Sequence, residues 1–382
     1  VSGAQADKAR TGALALALAP DRGRPKRRSP VARSGAQADK ARIGALGGDA
    51  CAGGRGRPKR RSPVRMNRPA LAALLLLPLV AAADPATDDD GFLVERDNVE
   101  IAPAKTVHLG AVDVDNRLGD VQVIGRDQPG ISLAVVKRAP DEATLDRLKV
   151  NLVPDPAGIV RITSALLIGN EARPIAAGQV RVDIKIFAPR EVAVQARAWN
   201  GKLGVTGMEA GATLLAHDGD IVVSNVKGPV TTTSMRGRQN LSAVRGVVSV
   251  DDTFGDLALD EISGEALAAR VHRGTVTATK VRSRAVAITT TFGDIRFSGE
   301  LLEGGRYELR SWNGNVDVRG AGAARVEAST RTGTIQPEVP LEAMMRDGTH
   351  LRAGFGAPSA DAAVLLMSSQ SGRVVFGLTP GP

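Results

Sequence analysis

Between residues 191 and 382, apolar and polar residues alternate in short runs that keep restarting at a glycine. Aligned on it, the runs fall at Gly201, Gly219, Gly237, Gly255, Gly274, Gly293, Gly314 and Gly333, at spacings of 18, 18, 18, 19, 19, 21 and 19. The second and fourth residues after the glycine are apolar, as in Leu203/Val205, Ile221/Val223, Leu257/Leu259, Val276/Ala278, Ile295/Phe297 and Val316/Val318. The seventh and fifth before it are apolar too, as in Val248/Val250, Leu267/Ala269, Val286/Ile288 and Tyr307/Leu309. Period-two alternation predicts half-buried strands, so each unit reads as strand, glycine turn, strand, second turn. Outlying copies surround Gly119 ("RLGDVQVIG") and Gly372 ("QSGRVVFGL").

The turn chemistry agrees. "WNG", "HDG" and the twin "TFGD" fill the glycine slot with residues that tolerate positive φ. The second slots are looser: "NVKGP", "AVRG", "EISGE", "LLEGGR", "GAGAA". Two architectures fit, a β-solenoid with one unit per coil and an antiparallel meander closing into a sandwich or barrel. The near-constant period favours the solenoid, because stacked coils must keep their columns in register while a meander tolerates drift. The predicted fold is therefore all-β, a stack of 18–21-residue two-strand repeats.

Residues 84–190 are less regular. "FLVERDNVEI", "TVHLGAVDVDN", "DVQVIG", "ISLAVVKR", "IVRITSALL" and "VRVDIKIFAPR" read as strands, and "PDEATLDRLKV" (140–150) as one short helix. This region is expected to cap the repeat stack of residues 191–382, since an open solenoid end exposes unpaired backbone.

Charge and cysteine usage change the picture at the N-terminal side. The chain has a net charge of +9, which invites a nucleic-acid reading. Residues 1–65, however, hold 16 Lys/Arg and 4 Asp/Glu, and the remainder holds 34 and 37. The basic excess thus belongs to the first 65 residues, and no nucleic-acid partner is expected for the body. That segment repeats itself ("SGAQADKAR", "GRPKRRSPV") and reads as a non-native or disordered extension. Then "MNRPALAALLLLPLVAAADP" lays out a charged start, an apolar run and an A-x-A-like site, a secretory signal over Met66–Ala83. The predicted mature chain is exported and keeps no membrane span. The single cysteine, Cys51, lies upstream, so the mature chain has no disulfide and no thiolate chemistry.

"FLVERDNVEI", "DVDNRLGDVQVIGRD", "VRVDIKIFAPREVAVQARAWNGKLGVTG" and the following "G-D/N-I/V-x-V" units resemble a bacterial envelope family of β-strand-repeat proteins labelled adhesins, many of undefined function. The resemblance spans roughly 92–379 and implies a β-solenoid-like domain outside the cytoplasm that binds surfaces, with no catalytic set.

Catalytic and metal signatures are thin. HExxH, G-x-S-x-G and P-loop patterns do not occur, and no cofactor is expected. His217 and His272 share a column three coils apart, roughly 14 Å, too far for joint coordination. Asp220, Asp256 and Asp294, with Asn315, follow repeat glycines and read as turn chemistry rather than a calcium ladder. Asp251, Asp252, Asp256, Asp260 and Glu261 cluster in one unit and carry the alternative reading, a polysaccharide-active β-helix enzyme.

Only two tryptophans occur in the whole chain, both in "WNG". If the seventh, fifth and third residues before the glycine face inward, the second faces out. That column contains Trp199, His217, Met235, His272, Trp312 and Arg331, with Thr253 and Thr291. Exposed tryptophan suits a binding surface. The stripe is the candidate partner site, with envelope glycans or surface proteins as expected partners.

Overall fold

The computed structural model describes residues 86–101, 109–167, 178–356 and 359–378. The basic segment 1–65, the secretory signal expected at 66–83 and His108 lie outside the described residues. Among those, 26 strands form one hydrogen-bonded network, and the one helix is a single turn. Each unit gives one strand before its glycine and one after it. The strands before the glycines pair in parallel with one another, as Ala193–Asn200, Ala212–Asp218, Val230–Arg236 and Val248–Phe254 do. The strands after them do the same, as Leu203–Thr206, Ile221–Lys227 and Gln239–Arg245 do. Parallel pairing between successive units rules out a meander. The molecule is a β-solenoid with two facing sheets, the first built from the strands before the glycines and the second from those after.

The alternation explains the core. The coil around Gly219 turns Ala212, Leu214, Ala216, Ile221, Val223 and Val226 inward, and all are buried. Residues between them along each strand face solvent. Full burial of each larger aliphatic chain stabilises by roughly 1.5–3 kcal/mol. One continuous cluster runs from Ile101 to Phe376, so neighbouring coils share their core.

The two corners of a coil are built differently. At the first, glycine stacks on glycine. A Cβ on Gly219 would stand 1.8 Å from the carbonyl oxygen of Gly201. No side chain fits there, which is why glycine marks the period. Just after it, Asp220, Asp256 and Asp294 each accept the backbone N–H of the matching residue one coil on: Arg238 at 2.9 Å, Thr275 at 2.8 Å and Asn315 at 2.8 Å. Just inside it, Ser369 and Thr330 accept the N–H of Gly372 and Gly333 at 2.8 and 3.0 Å. At the second corner the chain bends at one left-handed residue, and three residues further on Gly228, Gly246 and Gly264 stack in a column of their own. Asn225, Ala243, Glu261 and Lys280 form the left-handed column with φ of 53°, 52°, 55° and 52°. Residues expected as a loop at "EISGE" are therefore interior to a 17-residue strand, Leu257–Arg273, and Val276–Phe292 runs through its corner likewise.

Both ends depart from chain order. Ala111–Asn116 lies between Ile159–Leu166 and Ala193–Asn200, and Val121–Arg126 between Arg181–Pro189 and Leu203–Thr206. Ala111–Asn116, Val121–Arg126, Ile159–Leu166 and Arg181–Pro189 thus extend the same two sheets. Antiparallel strands cover that end: Leu148–Pro154 on one sheet, Ile131–Ala139 and Leu93–Ile101 on the other. The helix expected over 140–150 is shorter, Glu142–Leu145, capped by Asp141 accepting from the Thr144 N–H. Lys149 and Val150 already belong to a strand, because Leu148 is drawn into the core. At the other end Ala363–Ser369 inserts between Arg306–Asn313 and Ala324–Thr330, and Val374–Leu378 between Val316–Ala321 and Ile335–Pro337. The glycine column accordingly reads Gly314, Gly372, Gly333 in space.

Candidate partner-binding edge

The position two before each glycine faces out, as its parity predicts. Trp199 is 49% exposed, Met235 46% and Trp312 59%. These residues lie in register along one edge, about 4.8 Å apart per coil. Trp199 stacks on His217 with ring centroids 5.1 Å apart and planes 23° from parallel. His217 Nδ1 also meets Asp218 Oδ2 at 3.0 Å, and Asp218 pairs with Arg236. The Arg236 guanidinium first, and His217 second, hold the Asp218 carboxyl below its usual range. Trp312 stacks on no ring among the described residues.

The edge holds more than the stripe. Phe254 and Phe292, one residue before their glycines, are also exposed. Arg273 lies between them at 5.8 and 5.6 Å from the two ring centroids. His272 meets the same two rings edge-on at 6.1 and 5.8 Å. Trp199, His217, Met235, Phe254, His272 and Phe292 therefore make a nearly unbroken aromatic and thioether ridge over six consecutive coils. The geometry corrects one adjacency. Arg331 does not follow Trp312; Gln370 stands between them, because the C-terminal coil is inserted there.

The carboxylates of the enzyme alternative do not converge. Asp251 faces out, Asp252 is buried, Asp256 serves the Thr275 N–H, Asp260 accepts the Thr279 hydroxyl at 2.7 Å, and Glu261 pairs with Lys280 at 2.8 Å. Burial raises the Asp252 carboxyl to about 6, against the Gln239 hydrogen bond that lowers it. His272 and His217 sit in ring contacts, and His350 bonds the Thr349 hydroxyl at 3.0 Å. Among the described residues no three His, Cys, Asp or Glu side chains gather as a metal site. No helix among them is long and apolar enough to cross a membrane.

The Toastrack DUF4097 family model matches residues 181–375, just over half of the chain. The chain belongs to the Toastrack DUF4097 family. No curated protein matches it. Among solved structures it is similar to a "putative adhesin" from Bacteroides fragilis, at 14% identity, with 77% of this chain and 99% of that one covered and a TM-score of 0.31. It is also similar to a "putative cell adhesion protein" from Clostridium sporogenes (7% identity, 75% and 100% covered, TM-score 0.24). A third is a "putative lipid binding protein" from Parabacteroides distasonis (11% identity, 74% and 96% covered, TM-score 0.32).

The two phenylalanines escape a parity reading of the Toastrack repeat for a definable reason. "TFGD" occurs twice and is legible as a turn, but parity alone does not place the residue beside the glycine. That residue sits on the corner, where the strand is already turning away from the core. The signal available is the recurrence itself: a bulky apolar side chain kept twice in a turn that needs none.

Proposed function

We propose that this Toastrack protein is an exported, non-enzymatic binding protein, an adhesin or envelope scaffold, that holds its partner along the ridge from Trp199 to Phe292. One observation carries the reading. Six consecutive coils present an aromatic, imidazole or thioether side chain on one edge of a chain that is only 3% aromatic. The backbone beneath is hydrogen-bonded from coil to coil, so the ridge is rigid before it meets a partner, which lowers the entropic cost of binding. Aromatic side chains on such a platform are favoured at binding hot spots. The apolar run within Met66–Ala83 supports export, and sequencing the N-terminus of the protein from its source cells checks it: a first residue near Asp84 is expected.

Binding to a glycan panel and to envelope fractions tests the rest. Replacing Trp199, Phe254 and Phe292 together by Ala is expected to weaken retention by roughly tenfold or more while the β-sheet circular dichroism stays unchanged. Turnover of a polysaccharide with no stable retention on any surface would instead return the carboxylates of residues 251–261 to consideration.

A further inference from the structure

Beside the ridge, the outer face of the first sheet carries a trough of about 650 Å³ near the C-terminal end. Its volume lies in the range of small-ligand sites. The inserted coil creates it. Ser368, with a short side chain, and Gln370, whose carboxamide oxygen is buried, are both half-buried on that coil and form the floor. Arg310 and Trp312 rise from the neighbouring strand on one side, and Ser329 and Arg331 from the strand on the other. Trp312, Gln370 and Arg331 lie in one row across these strands, so the indole and the guanidinium stem from backbones about 9.6 Å apart. A ring held between them would lie over the Gln370 side chain.

The chemistry of the walls is asymmetric. Trp312 is 59% exposed with no ring against it among the described residues, so its face is free to stack. Arg331 is exposed, and its side chain makes no ion pair or hydrogen bond among the described residues. Arg310 shares its charge with Glu308 at 2.7 Å, yet no carboxylate lines the trough itself. Hydroxyls from Thr289, Thr291, Ser329, Ser368 and Thr349 complete the lining. An apolar ring face, several hydroxyl partners and an unneutralised cation together describe the complement of an acidic sugar.

We infer that the trough is a saccharide subsite that takes a uronic acid residue, its ring against Trp312 and its carboxylate toward Arg331. This rests on the reading of the protein as a surface binder and names the ligand class at one end of its edge. The carboxylate would form a charge-assisted, bidentate contact with the guanidinium, which lysine or glutamine does not reproduce.

Isothermal titration of the full chain with trigalacturonate, with its methyl ester, and with phosphatidylglycerol vesicles tests the inference. Saturable binding of trigalacturonate is expected, with the methyl ester and the vesicles much weaker. Arg331→Gln should weaken trigalacturonate binding by roughly tenfold. Ser368→Tyr, which fills the floor from a half-buried surface position, should abolish it. Ligand-induced change in tryptophan emission should vanish in Trp312→Ala, which still holds Trp199. Equal binding of the methyl ester or of the vesicles overturns the assignment, as does an affinity unchanged by Arg331→Gln and Ser368→Tyr. Binding carried by the basic residues 1–65 would show that unchanged affinity. If trigalacturonate fails while retention on envelope fractions still depends on Trp199, Phe254 and Phe292, only the subsite is refuted.

Discussion

Asp252 is a carboxylate placed where the coil pattern calls for an inward residue, and the substitution Asp252→Asn should stabilise the protein near neutral pH. The side chain is 5% exposed. Oδ2 accepts from Gln239 Nε2 at 3.1 Å, while Oδ1 has no hydrogen-bond partner and neither does Gln239 Oε1. Burial lifts the carboxyl from 3.8 to about 6. At about 1.4 kcal/mol for each tenfold change in proton affinity, ionising it inside the fold costs about 3 kcal/mol more than ionising it in the unfolded chain. The sign follows from the raised value. Well below pH 3.8 both states hold the proton and no penalty exists. Between pH 4 and 6 the unfolded chain ionises first, so stability falls as pH rises. Above pH 6 the folded state ionises too and the loss levels off. The amide introduced by Asp252→Asn keeps an acceptor for Gln239 and carries no charge at any of these pH values. Urea unfolding of both proteins at pH 3, 4, 5, 6 and 7.5 should show nearly equal midpoints at pH 3, with a gap of about 0.5 kcal/mol already open at pH 4. At pH 7.5 the variant should be ahead by about 2–3 kcal/mol. A variant that is no more stable at pH 7.5, or whose advantage is the same at every pH, would refute the reasoning.

Three further outcomes follow from the corners. Gly274→Ala would place a Cβ 1.8 Å from the Gly255 carbonyl oxygen. Backbone cannot yield that far, so a loss of about 3 kcal/mol or more in thermal or urea unfolding is expected. Ala243→Gly should act in the opposite direction, gaining about 0.5–1 kcal/mol, because Ala243 is held at φ 52° where a Cβ is disfavoured. Asp256→Ala should cost about 1 kcal/mol, since the Thr275 N–H loses its 2.8 Å acceptor at the edge of the turn; faster amide exchange at Thr275 would report it directly.

Much of this architecture is legible because a solenoid writes its geometry as a period. Glycine is forced wherever one corner crosses the next, and inward positions are mostly apolar, so both appear in the sequence at fixed offsets. The outward stripe follows from the same parity, and Trp199, His217, Met235, His272 and Trp312 do stand on one edge. What parity does not carry is a side chain on the corner, and so Phe254 and Phe292 read only as turn residues. An inner polar column is written in the sequence too, as Ser234, Asp252, Thr290, Ser311, Thr330 and Ser369, each three places before its glycine. Its role is hidden because Ser369 and Thr330 act on backbone groups and leave no pattern of charge.

The inserted coil is illegible for a deeper reason. Gly333 follows Gly314 at 19 residues, the ordinary period, so nothing in the spacing marks the jump. Ala324–Thr330 and Ala363–Ser369 carry the same inward alternation, and either could pair on Arg306–Asn313. The choice depends on how the stack stops. A coil added last in chain order would leave two bare parallel edges, each a template for another chain. Threading the C-terminal strands inside places a short segment outermost on the second sheet, Ile335–Pro337, with a proline that cannot donate. On the first sheet the chain between the two coils supplies the antiparallel pair His350–Phe355 and Glu342–Arg346 as a cover. The N-terminal end uses the same device, with Ala111–Asn116 inside and Leu148–Pro154 outside, ending again at a proline. The order of the last coils is thus set by edge protection rather than by local preference. The same insertion separates Trp312 from Arg331 by the strand that carries Ser368 and Gln370. A termination device of the fold thereby opens the trough in which a ligand is expected.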